Sequence, residues 1–420
     1  MTVDDEASSE GQPNDSAAGR RQPTRRYEAK RSAIVRSAVE EMNRKGVRGM
    51  TLGDVAARLD LVPTAVIYYF RNKEELAAAA FLKGLGAYEA LIAASAGATD
   101  TARLSAFIHA YFDHARQVAA GAADPMPVFN DVRALNSERV NAAYIDMFRR
   151  FRGLLGGPDI LPRLHANARA HLLLSQVFWI AAWQHQVEPA DYPRTADRMA
   201  TILTHGMIGR GAHWPAPKPL DLARQAEGAT SSSELFLRAA TGLINEEGYH
   251  GASVERISAK LNVSKGAFYH HNETKDELVV ACFERTFETM WRAIHAAEQA
   301  GGTGLEVLVS AVAALIEHQM SGEAPLLRTS ALTAVPEGLR PGLMQRFNRI
   351  SYRFASILCD GVADGSCAAV DVNVASQVIS SAINAAAELH YWTPGMTPET
   401  VVQHYVRPIF EGLASPPSLP

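Results

Sequence analysis

An all-α fold of two tandem units is predicted by three features of this 420-residue sequence. The stretch Thr51–Leu76 recurs at Ser253–Leu278, 202 positions later. Apolar residues elsewhere recur at helical spacing, and no convincing run alternates with the period of two that is typical of strands. The chain is also long for one hydrophobic core, and two copies of about 200 residues account for its length.

Each copy of the repeat has the pattern of a helix-turn-helix. In the first copy, a helix predicted over residues 27–45 ends at Gly46, a typical C-cap residue, and Thr51 is placed to N-cap the next helix. Gly248 and Ser253 occupy the same places in the second copy. Aligned without a gap over 46 positions, the copies share eleven identities. The chain is therefore predicted to carry two such heads.

Each head is followed by a series of predicted helices, which Gly, Pro or Asp residues separate. In the first half they lie near Lys73–Ala94, Thr101–Ala120, Val128–Leu135, Glu138–Leu155, Leu164–Gln186 and Pro193–Gly209. In the second half they lie near Lys275–Ala300, Leu305–Gln319, Leu326–Ala334, Leu339–Ala363, Val370–Trp392 and Pro398–Leu413.

The predicted domain order places one head and one body in each half. It runs through a disordered tail with a basic arm at 1–26, a first head at 27–76, a first body at 77–209, a linker at 210–232, a second head at 233–278 and a second body at 279–415. The linker is rich in Pro and Ser, so we expect it to leave the second unit free to reorient.

Charge is distributed unevenly between the heads. The whole chain has a formal net charge of −4, which gives no overall sign of a polyanionic partner. The 46-residue windows carry +2 in the first head and −2 in the second, and Arg20–Lys30 raises the first to +6. This basic arm is suited to lie along phosphates or enter a minor groove, and a solubilising lead-in is the alternative. We expect the first head to dominate electrostatic binding.

Other function classes find little support in the sequence. Cys282, Cys359 and Cys367 form no CxxC pair, so they are interpreted as small core residues in a reducing cytoplasm. The most apolar run, Leu172–Trp183, is too short to span a bilayer and is interpreted as a buried helix. The motifs GxSxG, HExxH, a P-loop and GxGxxG after a strand are absent, so an enzyme, a metal site or a cofactor is not expected.

The segment VSKGAFYHHNETKDEL, Val263–Leu278, resembles the recognition-helix signature of the TetR/AcrR family of bacterial transcriptional regulators, V-S-x-G-x-L-Y-x-x-F followed by K-x-x-L. The first copy, LVPTAVIYYFRNKEEL, is similar to it with substitutions. The resemblance implies two TetR-like units, each with a three-helix DNA-binding head and a helical ligand-binding and dimerisation body. Family members ordinarily pair their last two long helices as a four-helix bundle, which here implies an intramolecular pseudo-dimer and permits a further homodimer.

The heads depart from the family signature in different ways. The first head has Val62, Pro63 and Thr64 where the signature usually has Ser, Lys and Gly. The second head has Asn272 where the signature usually has an aromatic residue, and Phe70 occupies that position in the first head. The candidate DNA contacts in the first head are Arg25, Arg26, Thr51, Pro63, Thr64, Ala65, Tyr68, Tyr69 and Lys73. Those in the second are Ser253, Ser264, Lys265, Gly266, Ala267, Tyr269, His270 and Lys275. The alternative is that these are helix-opening and surface residues.

The bodies contain polar and aromatic residues that are suited to line a small-molecule pocket. The candidate effector-binding residues are His109, Trp179, Trp291, His295, His318 and Asn384, and for each the alternative is a buried side chain with a satisfied hydrogen bond. We expect a cytoplasmic repressor that an unknown small molecule releases from an operator in double-stranded DNA. The alternative is a ligand-binding or protein-interaction module in which one or both heads no longer bind DNA.

Overall fold

The computed structural model describes residues 24–129, 132, 135–156, 161–220, 222, 232–262, 274–322, 325–336 and 338–414. Residues 1–23 and the segment 263–273, where the second recognition helix is predicted, lie outside these ranges. The helices of the first unit are α1 (Arg25–Gly49), α2 (Leu52–Ala57), α3 (Pro63–Ile67), α4 (Lys73–Ala94), α5 (Asp100–Ala119), α6 (Glu138–Leu154), α7 (Arg163–Trp183) and α8 (Tyr192–His205).

The second unit repeats this plan in the described residues. Its helices are α9 (Ser232–Gly251), α10 (Val254–Leu261), α11 (Lys275–Ala300), α12 (Gly304–Ser321), α13 (Arg340–Ala363), α14 (Val372–Ala385), α15 (Leu389–Trp392), α16 (Pro398–Val401) and α17 (Arg407–Glu411). The β structure of the described residues is an isolated antiparallel bridge between Ile208 and Cys367, and they contain no strand. The prediction of an all-α fold is confirmed.

The two heads turn at equivalent positions. Gly46 has φ 72° and Gly248 has φ 73°, so each first helix breaks at a glycine in the left-handed region. Asp60 and Asn262, which follow the second helix of each head, have φ 53° and 54°. Short polar residues tolerate this conformation because their side chains hydrogen-bond locally. The 202-residue repeat is therefore a repeat of backbone geometry in the part of both heads that the structure describes.

The helix α4 leads from the first head into the first body. By length and mean hydropathy it is the one described helix apolar enough to cross a bilayer, and 39% of its most apolar window is buried. It packs against α1, α5 and α6, so its buried residues, which include Leu76, Phe81 and Leu85, belong to the core. The run Leu172–Trp183, predicted as a buried helix, lies within the mostly buried α7.

The two bodies meet along a seam formed by α7 and α8 with α14 to α17. Trp179 Nε1 donates to Gln377 Oε1 at 3.0 Å, and Gln176 Nε2 donates to the Val378 carbonyl at 3.1 Å. A buried guanidinium adds a third link, because Arg169 donates to the Leu413 carbonyl at 2.9 Å. The family resemblance described above predicts that these helices pack on each other.

The last helix of the second unit contains a π-helical turn at Val402–Val406. The distance from Thr195 to Gly206 in the first unit is eleven residues, whereas the equivalent distance from Thr400 to Gly412 is twelve. A π-helical turn accommodates one extra residue without ending a helix. The turn therefore lets each terminal helix end at an equivalent glycine of the seam despite an insertion.

Two histidine rings lie against each other across the seam at this turn. The ring centroids of His165 on α7 and His404 in the π-helical turn are 3.9 Å apart. Burial lowers the pKa of both rings, and the charge of Arg169 lowers that of His165 further, while His165 does the same to His404. Both rings are therefore held in their neutral form.

This pair predicts that the protein is destabilised in mild acid. Because the folded-state pKa values lie below the unfolded ones, the stability is complete above about pH 6.5 and is lost as the pH falls further. We expect urea unfolding to show a larger loss between about pH 7.5 and pH 5.5 in the wild type than in a His165→Gln/His404→Gln variant. The exposed His213→Gln is the control, and an equal loss in the two variants would contradict the prediction.

Three expectations from the sequence differ from the structure. The described part of the linker is attached to the second unit, because Lys218 Nζ donates to the carbonyls of Ala300 and Gly301 at 2.9 and 2.6 Å. The helix predicted at Leu326–Ala334 is an extended segment followed by a 3-10 helix at Thr329–Ala334. Cys359 is exposed, so it is not a core residue, whereas Cys282 and Cys367 are buried.

Candidate nucleic-acid interface and effector cavity

The orientation of α3 in the first head is fixed by two buried side chains. Val66 and Phe70 are almost fully buried, and the guanidinium of Arg31 lies 4.8 Å from the centre of the Phe70 ring. Thr51 Oγ1 accepts from the Asp54 amide at 3.0 Å and thereby caps the preceding helix, as predicted. These contacts determine which face of α3 is turned to solvent.

That outward face combines hydroxyl and apolar groups. Pro63 and Thr64 are exposed and Ala65 is half-buried. Tyr68 is 74% exposed, and Val62 and Ile67 are 64% and 47% exposed. Large apolar side chains rarely gather in solvent on one short helix, so this face is suited to contact another molecule.

Tyr68 and Tyr69 belong to a cluster with Tyr27 of α1. The ring centroid of Tyr27 lies 6.2 Å from that of Tyr68 and 4.8 Å from that of Tyr69. Tyr69 is half-buried in this cluster, whereas Tyr68 is not covered by it. Tyr68 is therefore the better placed of the two for an intermolecular contact.

Basic side chains flank α3 on both sides. Arg25 and Arg26 are exposed in the first turn of α1, which Thr24 caps. Lys73 Nζ donates to the Arg48 carbonyl at 3.0 Å, so this lysine ties the start of α4 to the turn before α2. Lys73 thus has a structural contact as well as a position at a helix N-terminus, where backbone N–H groups favour anions.

A buried carboxylate holds several cations of the first head. Glu41 is 1% exposed and lies 3.0 Å from Arg44, 3.4 Å from Lys45 and 3.4 Å from Arg58. The equivalent residue of the second head is Leu243, which is also buried. The two heads therefore fill one core position by opposite means, with a buried ion cluster in the first and an apolar side chain in the second.

This contrast predicts that Glu41→Leu is tolerated. Replacing a buried ionic group by an apolar side chain of similar volume is often neutral or stabilising, and the released cations remain partly exposed. We expect the free energy of unfolding in urea to change by less than about 1 kcal/mol. Glu41→Ala, which also leaves a cavity, serves as the comparison, and a loss in Glu41→Leu as large as in Glu41→Ala would contradict the prediction.

The second head is described on either side of residues 263–273, where its recognition helix is predicted. Ser253 caps α10 through a bond from the Arg256 amide at 3.3 Å. Burial lowers the pKa of the Lys275 ammonium, the Asp276 carboxylate opposes this shift, and the guanidinium of Arg48 in the first head adds to it. The candidates Ser264, Lys265, Gly266, Ala267, Tyr269 and His270 lie outside the described residues.

Each head is fastened to its own body by one asparagine of its first helix. Asn43 Nδ2 donates to the Met126 carbonyl at 3.0 Å, and its Oδ1 accepts from the Val128 amide at 2.8 Å. Asn245 makes the same pair of bonds in the second unit, to the Leu326 carbonyl at 2.8 Å and from the Arg328 amide at 3.0 Å. We call these two residues the asparagine clamps.

A cavity of about 520 Å³ lies at the seam between the units. Residues of the first head, of both bodies and of the 3-10 helix at Thr329–Ala334 line it. Its described lining includes Asn43, Arg44, Val128, Tyr144, His171, Phe178, Trp179, Arg328, Thr329, Arg340, Ser381, Asn384, Glu388 and Trp392. We call it the seam cavity. A smaller cavity of about 20 Å³ lies within the second body.

The structure brings two of the six predicted effector residues together. Trp179 and Asn384 both line the seam cavity, where Asn384 Oδ1 accepts from the Thr329 amide at 3.0 Å. His109 instead lies 2.7 Å from Asp197, which raises its pKa against the opposing effect of burial.

The other candidates lie on α11 and α12. The ring centroids of Trp291 and His295 on α11 are 5.4 Å apart, and His318 is half-buried on α12. These three residues are not among the described lining of either cavity. In the described residues no group of three or more His, Cys, Asp or Glu is arranged to hold a metal ion.

The asparagine clamps were not among the predicted site residues, although the sequence contains a signal for them. Asn43 and Asn245 are one of the eleven identities between the heads, at a position with no role in the helix-turn-helix signature. The sequence gives no such signal for Arg328. Its equivalent in the first unit, the residue whose amide Asn43 binds, is Val128, which is a different type of residue.

Two helix-turn-helix heads joined to helical bodies define a class of two-headed, all-α proteins. The family model "Bacterial regulatory proteins, tetR family" matches residues 34–80 and again residues 236–282. The chain belongs to the tetR family of bacterial regulatory proteins and carries two tandem units of it.

Curated relatives match one segment of the chain each. The Transposon Tn10 TetC protein of Escherichia coli is 39% identical over 61 residues, which are 14% of this chain and 31% of TetC. The HTH-type transcriptional regulator CymR of Pseudomonas putida is 39% identical over 64 residues, 15% of this chain and 32% of CymR. The chain thus spans about a third of the length of these relatives.

Each of the following solved structures resembles less than half of the chain. Apo AibR is 18% identical with a TM-score of 0.37 and covers 43% of this chain and 99% of its own. PfmR from Thermus thermophilus is 24% identical with a TM-score of 0.36 and covers 42% of this chain and 98% of its own.

Proposed function

We propose that this chain is a cytoplasmic transcriptional regulator that binds an operator in double-stranded DNA, with its two units acting as an intramolecular pseudo-dimer. The observation that carries the proposal is the exposed face of α3, where Thr64, Ile67 and Tyr68 stand beside the basic first turn of α1. In a major groove, apolar side chains contact thymine methyl groups and hydroxyls reach base edges or phosphates.

Two covalently joined heads that differ in sequence suit an imperfect palindrome. Heads of a dimeric helix-turn-helix protein meet half-sites about 34–36 Å apart, or a multiple of this distance. The test is footprinting of genomic fragments selected by the full-length protein. We expect two unequal half-sites at that spacing, and no protected site at about 0.1 M salt would overturn the proposal.

The basic first turn of α1 gives the interface its salt dependence. In an Arg25→Ala/Arg26→Ala variant, the slope of log affinity against log salt should fall by about 2, since each phosphate contact contributes about 0.9. Arg194→Ala/Arg198→Ala removes the same charge from exposed positions on α8 of the first body and is the matched control. Equal slopes in the two variants would show that Arg25 and Arg26 make no phosphate contact.

We also propose that a small molecule releases the protein from DNA, which makes it a repressor. Trp179 and Asn384 line the seam cavity, and both asparagine clamps end on cavity-lining residues, Val128 and Arg328. A ligand that binds one arrangement of these segments better than another shifts the population of head positions. An effector that binds the protein without changing operator affinity would remove this part of the proposal.

One observation favours a second candidate function. Val62, Ile67 and Tyr68 form an apolar exposed face, and the second head carries a net charge of −2. Such a face also fits a protein partner. If the purified chain gives no specific complex with any selected fragment at moderate salt, an interaction module in which one or both heads have lost DNA binding becomes the better interpretation.

A further inference from the structure

The seam cavity has apolar walls and a charged rim. Tyr144, Phe178, Trp179 and Trp392 supply aromatic surface, and the Tyr144 and Phe178 rings are nearly parallel at 6.3 Å. Its volume of about 520 Å³ falls within the range of about 300–1,000 Å³ that is typical of small-molecule sites. The walls therefore suit a ligand whose larger part is apolar.

The charged lining residues are mostly cations. The guanidiniums of Arg44, Arg328 and Arg340 line the cavity together with one carboxylate, that of Glu388. Glu388 lies 2.7 Å from Arg328, whose side chain is only 12% exposed. The described lining therefore carries two more positive than negative charges, one of which is offset by the buried Glu41 that pairs with Arg44. The remaining net positive charge beside apolar walls favours an anion.

We propose that the seam cavity binds one organic anion with an apolar body per chain, and that this single ligand acts on both heads. The proposal rests on the ligand response proposed above and names its chemistry and stoichiometry. Two separate pockets, one in each body, would be the symmetric arrangement for two units. In this structure, both bodies and α1 of the first head instead contribute residues to the described lining of a single cavity.

Both heads are connected to the lining by short hydrogen bonds. The Val128 amide is held by Asn43 of the first head and the Arg328 amide by Asn245 of the second. Arg340 of the second body donates to the Arg44 carbonyl of the first head at 3.2 Å. A ligand that draws Arg328 and Arg340 toward its anionic group therefore moves attachment points of both heads at once.

The test uses calorimetric titration of the full chain in the absence of DNA. The probes are 2-naphthoate and decanoate, each compared with its neutral amide. We expect at least one acid to bind about tenfold or more tightly than its amide, with one site per chain, because a charged hydrogen bond is lost in the amide. Two sites per chain, no binding at about 1 mM, or equal binding of acid and amide would overturn the proposal.

Two substitutions with opposite expected effects separate ligand binding from misfolding. Arg328→Met should weaken binding of the acid by about tenfold or more, whereas Glu388→Gln should tighten it because it removes the negative charge from the lining. Arg353→Met, which removes an arginine of α13 paired with Glu298, is the matched control and should leave binding unchanged. Failure of Glu388→Gln to tighten binding would overturn the assignment of an anion.

The test of the anion site and the test of the proposed function can fail independently of each other. If the acid binds once per chain but leaves operator affinity unchanged, the anion site stands and the repressor mechanism fails. If the operator is bound and protected while neither acid binds, the regulator stands and the anion site fails.

Discussion

Gly206→Ala is expected to lower the free energy of unfolding by about 3–4 kcal/mol, because two costs coincide at this residue. Its φ of 76° is in the left-handed region, which costs a residue with a Cβ atom about 1–3 kcal/mol. A Cβ atom would also overlap the Phe410 carbonyl, which accepts from the Met207 amide at 2.7 Å. The terminal helices of the two units meet at this point, so the substitution pushes the units apart.

The matched control is Gly211→Ala. Gly211 has a similar φ of 85°, but a Cβ atom there would meet nothing within 4 Å. It should therefore show the conformational cost alone, about 1–2 kcal/mol, and the difference between the variants in urea unfolding isolates the close approach at the seam. If the two variants lose the same free energy, the seam does not depend on this contact.

The heads were predictable from sequence because local rules determine them. Gly46, Thr51, Gly248 and Ser253 occupy the turns and caps that their residue types favour, and the structure confirms each of them. A turn or a cap depends on neighbours within about four residues, so one repeat aligned with another is enough to identify it.

The seam cavity was only partly predictable because it depends on contacts between distant residues. Trp179 and Asn384 were predicted as candidates, yet they are 205 positions apart and line one cavity only because α7 packs on α14. The segment around Thr329 was predicted as part of an α-helix from its apolar pattern. Its backbone is extended where Asn245 holds the main chain, which is a tertiary hydrogen bond that periodicity does not report.

Asn43→Asp is expected to destabilise the protein by about 2–3 kcal/mol at neutral pH. The substitution keeps the shape of the side chain but replaces the donor that faces the Met126 carbonyl by a second acceptor. A carboxylate there loses one hydrogen bond and faces an oxygen in a half-buried site, although it still accepts from the Val128 amide. Asn245→Asp should have the same effect in the second unit, where the bonds are equivalent.

The pH dependence of these variants distinguishes the clamp from a general packing defect. A protonated Asp donates as Asn does, so its pKa in the folded state should lie above the unfolded value of about 3.9. The group is then more favourable in its protonated form, and the deficit relative to the wild type should shrink as the pH falls toward about 4. Asn373→Asp at an exposed position should change stability by less than about 0.5 kcal/mol at either pH.

The same variants test whether the clamps carry the signal from cavity to head. If a head responds to ligand through its clamp, Asn43→Asp should reduce the effect of saturating ligand on the first half-site and Asn245→Asp that on the second. Because Asn43 lines the seam cavity, Asn43→Asp should also weaken binding of an anion, so each variant is compared at its own saturating ligand concentration. Quantitative footprinting of the two half-sites under these conditions measures the response. A variant in which both half-sites respond as in the wild type would show that the coupling bypasses the clamp, for example through the contact of Arg340 with the Arg44 carbonyl.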